Sequence, residues 1–200
     1  MKLSRLLLSP LVALLAAAAF ASPSSKTYLI DFGAPNHEPY VFKKGDFGLS
    51  AAPEVVSDPA TGDYAGFGYK NVSFKLGAAV LSFPFVGAYN LDESSSSTAA
   101  LIGSFFFSNP SRPEAGSPVR FTITTAASTD KITLSAIGSV QSGQVAVISI
   151  NGTQATIDSN EAFLAVAKMT GKTSYEGTFA TASGNGEANL GGFLITIESN

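Results

Sequence analysis

Short runs that combine β-branched and aromatic residues, each closed by Gly, Asn, Asp, Ser or Pro, recur along this chain, and strands are the element that such runs form. The clearest is residues 119–125, where Phe121 and Ile123 alternate with Arg120, Thr122 and Thr124. A strand here turns its apolar side chains inward and its polar ones to water. Residues 81–89, 99–107, 131–137, 144–150 and 175–181 read as further strands. They recur about every ten residues with turn signals between, which is the pattern of an all-β sandwich. At the two ends, Tyr28, Ile30 and Phe32 share one parity against Leu29 and Asp31, and Phe193, Ile195 and Ile197 alternate with Leu194, Thr196 and Glu198. Both terminal segments are therefore expected to be half-buried, with one face toward a core.

Two stretches complicate the pattern. Phe105, Phe106 and Phe107 cannot share one face of a strand, so a strand that carries them is covered on both sides or presents a ring to a partner. Residues 161–169 admit two readings: Asn160 could cap a helix that Gly171 ends, yet Phe163, Ala165 and Ala167 also alternate with Leu164, Val166 and Lys168. The neighbouring strands favour strand. Residues 94–97 and 109–118 read as loops, the first a serine run and the second holding three prolines and a glycine.

Residues 1–21 read as an export signal. Lys2 and Arg5 precede the apolar stretch 6–19, interrupted by Ser9 and Pro10, and Ala19-Phe20-Ala21 is a small-x-small cleavage site. Cleavage leaves residues 22–200, 200 − 21 = 179 in number, enough for one domain with a sizeable core. Two of the 12 basic residues lie in the signal, so the remainder carries 10 basic against 15 acidic residues, a charge of −5. That balance argues against nucleic acid or an anionic membrane as partner. No second apolar run reaches the roughly 18–20 residues of a spanning helix. Cysteine is absent, which removes disulfides, thiol catalysis, thiolate metal sites and a lipidated thiol. A secreted, cell-exterior or periplasmic location follows.

Candidate chemistry is sparse. His37, the one histidine, lies in the loop Ala34-Pro35-Asn36-His37-Glu38-Pro39 with no second histidine to complete a common zinc site. There is no G-x-S-x-G elbow, no phosphate loop and no dinucleotide fingerprint. Asp92-Glu93 precedes four serines and reads as a solvated turn. The most suggestive stretch is residues 58–71, read as a loop, where Gly62, Gly66 and Gly68 let the backbone approach a ligand. There Tyr64, Phe67 and Tyr69, with Asp63, offer stacking rings and an acceptor for a sugar. The hard oxygen donors Asp31, Asp58, Asp63 and Glu198 are candidates for a structural calcium ion, although no local ligand string joins them. Asn71 and Asn151 head Asn-x-Ser/Thr acceptor sequences, which matter only in a glycosylating host.

The opening Tyr28-Leu29-Ile30-Asp31-Phe32-Gly33 and the closing residues 187–195 (EANLGGFLI) resemble phrases of exported bacterial galactose-binding-like modules, common among proteins sorted by a PEP-CTERM tail. Only Ser199 and Asn200 follow Glu198, without the Pro-Glu-Pro element of that group. The resemblance implies a single antiparallel β-sandwich of jelly-roll type in which the first and last strands lie near each other. It implies a non-catalytic module that binds carbohydrate or cell-surface components. Two alternatives stay open: a structural or self-associating matrix protein, and a glycoside-active enzyme that uses two carboxylates.

Overall fold

The computed structural model describes residues 24–32, 42–57, 66–90, 104–108, 118–140, 143–159, 162–182 and 188–199. The sequence pattern appears there as β1 (Ser24–Asp31), β2 (Glu54–Ser57), β3 (Gly66–Leu76), β4 (Ala79–Asn90), β5 (Ser104–Ser108) and β6 (Val119–Thr124). The second half of the chain forms β7 (Lys131–Val140), β8 (Ala146–Ile150), β9 (Thr153–Ile157), β10 (Ala162–Met169), β11 (Ser174–Thr181) and β12 (Ala188–Ser199). Of the stretch read as helix or strand, Ala162–Met169 forms a strand, with a bulge between Ala165 and Ala167.

The strands form an all-β sandwich. One sheet runs β10-β7-β12-β1-β2 and the other β3-β4-β6-β11-β8-β9. Short β5 joins them at one side, because it pairs with residues 87–90 of β4 and with residues 188–190 of β12. The long strand β4 changes neighbour along its length: residues 80–82 pair with β6, and residues 87–90 with β5. Pro84 stands at that change, where the β3–β4 register also slips between Lys70 and Val72. A proline has no N–H to give a ladder and is tolerated inside a sheet only at such breaks. Strands β6 and β7 lie in opposite sheets, as do β11 and β12, while β6 pairs with β11 and β7 with β12. A two-stranded ribbon is thereby folded across the sandwich in the manner of a jelly roll.

Three expectations need correction. The sandwich is not wholly antiparallel, since β1 and β2 pair in parallel, Tyr28 opposite Glu54 and Asp31 opposite Ser57. Parallel neighbours need a connection of about a dozen residues or more, and residues 32–53 supply it. The terminal strands are half-buried only toward one end: Ile195 and Ile197 are buried against partly exposed Thr196 and exposed Glu198, as the alternation implies, but Leu29 and Leu194 are buried along with Ile30 and Phe193 on the opposite face. Part of that long connection is the reason: Phe42, Phe47 and Leu49, with Val55 of β2, pack over Leu29, Ile137 and Leu194 on the outer face of the first sheet. Finally, residues 66–71 are not loop but the start of β3, held by pairing to β4.

Between the sheets the core is aromatic. Phe193 of β12 lies 5.4 Å from Phe32 and 5.0 Å from Phe121, ring centre to ring centre, and stacks on Phe83 at 6.4 Å. Phe74 closes the cluster against Phe32 at 5.5 Å. Each such buried side chain stabilises the fold by about 1.5–3 kcal/mol relative to exposure. With no cysteine available, this burial carries the stability.

Candidate functional site

The two outer faces of the sandwich differ in chemistry. The first sheet is capped near its middle by residues 42–55, and the ring of Phe47 packs on Phe163 of β10 at 5.0 Å. No such cap covers the second sheet among the described residues. The outward positions of β6 are Arg120, Thr122 and Thr124, as the alternation predicts, with Val119, Phe121 and Ile123 buried beneath. Strand pairing then sets polar residues from distant parts of the chain side by side. One cross-strand row reads Ser73, Ser82, Thr122, Glu176; the next reads Arg120, Thr178, Ser149, Gln154.

These rows border two hollows of about 430 Å³ each. The first is lined by Arg120, Ser149, Asn151, Glu176 and Thr178, the second by Asn71, Ser73 and Ser82, and both share Pro84 and Thr122. The two hollows adjoin at Pro84 and Thr122, and this paired groove reaches across the strands from β3 to β8. Gly177 of β11 also lines it and has a packing reason to be glycine: a Cβ there would stand 2.2 Å from the ring of Phe121.

At the far end the groove meets the β8–β9 hairpin. Asn151 (φ 50°) and Gly152 (φ 78°) both adopt the left-handed conformation, as the two central residues of a type I′ turn must. Lys172 braces this turn by donating from Nζ to Asn151 Oδ1 at 3.0 Å, and its backbone N–H donates to the buried Tyr175 Oη at 3.1 Å. The same loop is tied to the β6–β7 connection, where Gly171 N–H donates to Ser128 O at 2.9 Å.

Arg120 and Glu176 give the groove one charge of each sign, on neighbouring rows of the same strand pair, and neither enters an ion pair with a described residue. Arginine only donates hydrogen bonds and a carboxylate only accepts, while the Ser and Thr hydroxyls do both. The groove can therefore engage a ligand that offers donors and acceptors together. Glu176 is the one carboxylate among the described lining residues, whereas two-carboxylate glycoside chemistry needs a second.

Of the residues singled out by sequence, Phe67 and Tyr69 stand on β3, the strand that also carries Asn71 and Ser73, but their side chains lie outside the described residues. Asp58, Asp63, Tyr64 and His37 lie outside them too, as do Asp92-Glu93, residues 94–97, residues 1–21 and the side chains of residues 105–107. Asp31 is buried opposite Gly192, whereas exposed Glu198 faces Ser25 at the other end of the same strand pair. Six residues of strand separate them, about 20 Å, so they do not share an ion. Among the described residues no three His, Cys, Asp or Glu side chains form a metal-binding group, and no helix is long and apolar enough to cross a membrane.

Sequence reasoning placed Arg120 and Thr122 on the outer surface but did not connect them to Ser149, Glu176 or Thr178. The outward alternation of each strand was the available signal; the adjacency of the strands had none. No family model, curated protein or solved structure matches this chain, so the reading of the groove rests on its own chemistry.

Proposed function

We propose that this protein is an exported, non-catalytic recognition module that binds carbohydrate or cell-surface components through the groove on the second sheet. The observation that carries this reading is the pair of adjoining hollows, lined by hydroxyls, on the outer face of the second sheet among the described residues. On the first sheet, residues 42–55 pack over Leu29, Ile137 and Leu194, and the hollow beside them, about 320 Å³ between the charged side chains of Lys131, Lys168 and Glu198, is smaller. Hydroxyls with one arginine and one carboxylate suit the donor-and-acceptor character of a sugar. A rigid β scaffold holds them in place without the ordering cost of a flexible loop. The resemblance to galactose-binding-like modules favours the same reading, and residues 1–21 supply the export route. Phe67 and Tyr69 stand on the strand that borders the groove, which keeps them as candidate stacking residues, with Tyr64 and Asp63 just before them in sequence.

A glycan-array and polysaccharide pull-down screen of the purified protein, with calcium and with a chelator, tests the proposal. Specific binding that Arg120→Ala and Glu176→Ala each weaken is the expected outcome; silence in both conditions refutes it. A second reading, self-association in an extracellular matrix, is favoured by Phe163. This large apolar side chain is 43% exposed and lies on β10, which among the described residues is hydrogen-bonded to β7 alone. Sedimentation of wild type and Phe163→Lys at high concentration tests it, and a monomer throughout rejects it.

A further inference from the structure

The row geometry permits a narrower statement about the ligand, one that rests on the carbohydrate reading above. Neighbouring strands stand about 4.8 Å apart, so the side chains along one cross-strand row repeat at that interval. From β3 through β4, β6 and β11 to β8 there are four such steps, which carry the groove across about 19 Å. At its β3 end it reaches a strand that, among the described residues, pairs with β4 alone. A single sugar ring would meet one or two steps of this ladder and leave the rest unused.

The charge pattern limits the ligand further. Arg120 and Glu176 are opposite in sign, and the other polar lining residues, Asn71, Ser73, Ser82, Thr122, Ser149, Asn151 and Thr178, are neutral. Lys172 Nζ at the far end is engaged by Asn151 Oδ1 at 3.0 Å. A polymer with a carboxylate or sulfate on each unit would gain Arg120 but meet Glu176 on the adjoining row, and like charges that close oppose binding. We propose that the groove binds an internal segment of a neutral polysaccharide, laid across the strands with its successive units on successive steps, and does not recognise a chain end. Both asparagines that head acceptor sequences lie at the limits of this track, Asn71 on β3 and Asn151 at the β8–β9 turn.

The test uses calorimetric titration of the purified protein with neutral probes (xyloglucan, galactomannan and mixed-linkage glucan) and anionic ones (polygalacturonate and alginate). A length series of oligosaccharides is then cut from the neutral polymer that binds best. The expected result is an affinity that rises about tenfold or more from monosaccharide to the longest oligosaccharide, as added units form further hydrogen bonds, and then levels off. It should also survive chemical blocking of both chain ends. Thr122→Ala and Thr178→Ala should each weaken the long ligand by about 2- to 10-fold. Thr122→Ser, which keeps the hydroxyl, should bind as wild type does. Lys168→Ala, on the other sheet, is the control and should bind normally. Binding that a monosaccharide already saturates, that end-blocking abolishes, or that favours the anionic probes overturns this proposal while leaving saccharide recognition intact. Absence of binding to every probe overturns both.

Discussion

Substitution of Gly177 by alanine tests whether the floor of the groove is packed as tightly as its geometry implies. The added Cβ would lie 2.2, 2.5 and 2.8 Å from three ring carbons of Phe121, and ordinary contact begins near 3.4 Å. The ring must therefore retreat by about 1.2 Å, the difference between 3.4 and 2.2. It has nowhere to go: Phe121 is 1% exposed and packs on Phe193 at 5.0 Å and on Phe83 at 5.9 Å. Overpacking of this kind costs about 1–3 kcal/mol. Gly177 does not occupy the positive-φ region, so alanine also stiffens the unfolded chain and returns about 0.4–1 kcal/mol. The net expectation is destabilisation by about 1.3 kcal/mol at mid-range and at most about 2.6 kcal/mol, the former about 3–5 °C in Tm for a domain of this size. Urea unfolding of wild type, Gly177→Ala, Phe121→Leu and the double variant measures it. The double variant should be less destabilised than the sum of the singles, by about 1 kcal/mol, because the smaller side chain frees the space that the new methyl needs. A Gly177→Ala protein as stable as wild type, or a cycle that is strictly additive, would show that the ring does not press on this backbone.

Three further outcomes are expected. Phe193→Ala removes the ring that joins Phe32, Phe83 and Phe121 and should cost about 3–5 kcal/mol in urea unfolding; a loss under about 1.5 kcal/mol would remove it from the centre of the core. Hydrogen bonding to Glu54, the largest cause, raises the pKa of the exposed Lys26 above 10.5, with Tyr28 adding to it and desolvation opposing it. A raised pKa means that the pair's contribution is fully present below 10.5 and is lost as pH rises through the folded value. The stability gap between wild type and Lys26→Gln should thus be flat on the neutral side of 10.5 and close on the alkaline side; a gap that widens there contradicts the assignment. Finally, production in a host that glycosylates asparagine would place glycans on Asn71 and Asn151, both groove-lining, and lower polysaccharide binding. Equal binding by protein from glycosylating and non-glycosylating hosts would count against the groove.

The sequence by itself determined the all-β class, most of the strands and which way many of their side chains point. Alternation at Val119–Thr124 separated Arg120 and Thr122 from Phe121 and Ile123 because a pleated strand has a period of two, and that property belongs to the local chain. The same local reading failed where neighbours decide. Gly66 and Gly68 suggested a loop, yet residues 66–71 are held as strand by β4, and glycine weakens a strand without forbidding it. Leu29 and Leu194 were assigned an exposed face that residues 42–55 cover, a contact no period could announce. Only the tertiary structure brought Arg120 and Thr122 of β6 beside Ser82 of β4, Glu176 and Thr178 of β11, and through them Ser149 of β8. The physical reason is that alternation is written along one strand, whereas the order of strands in a sheet follows from how the whole set of apolar faces can be buried at once, and that is a property of no single segment.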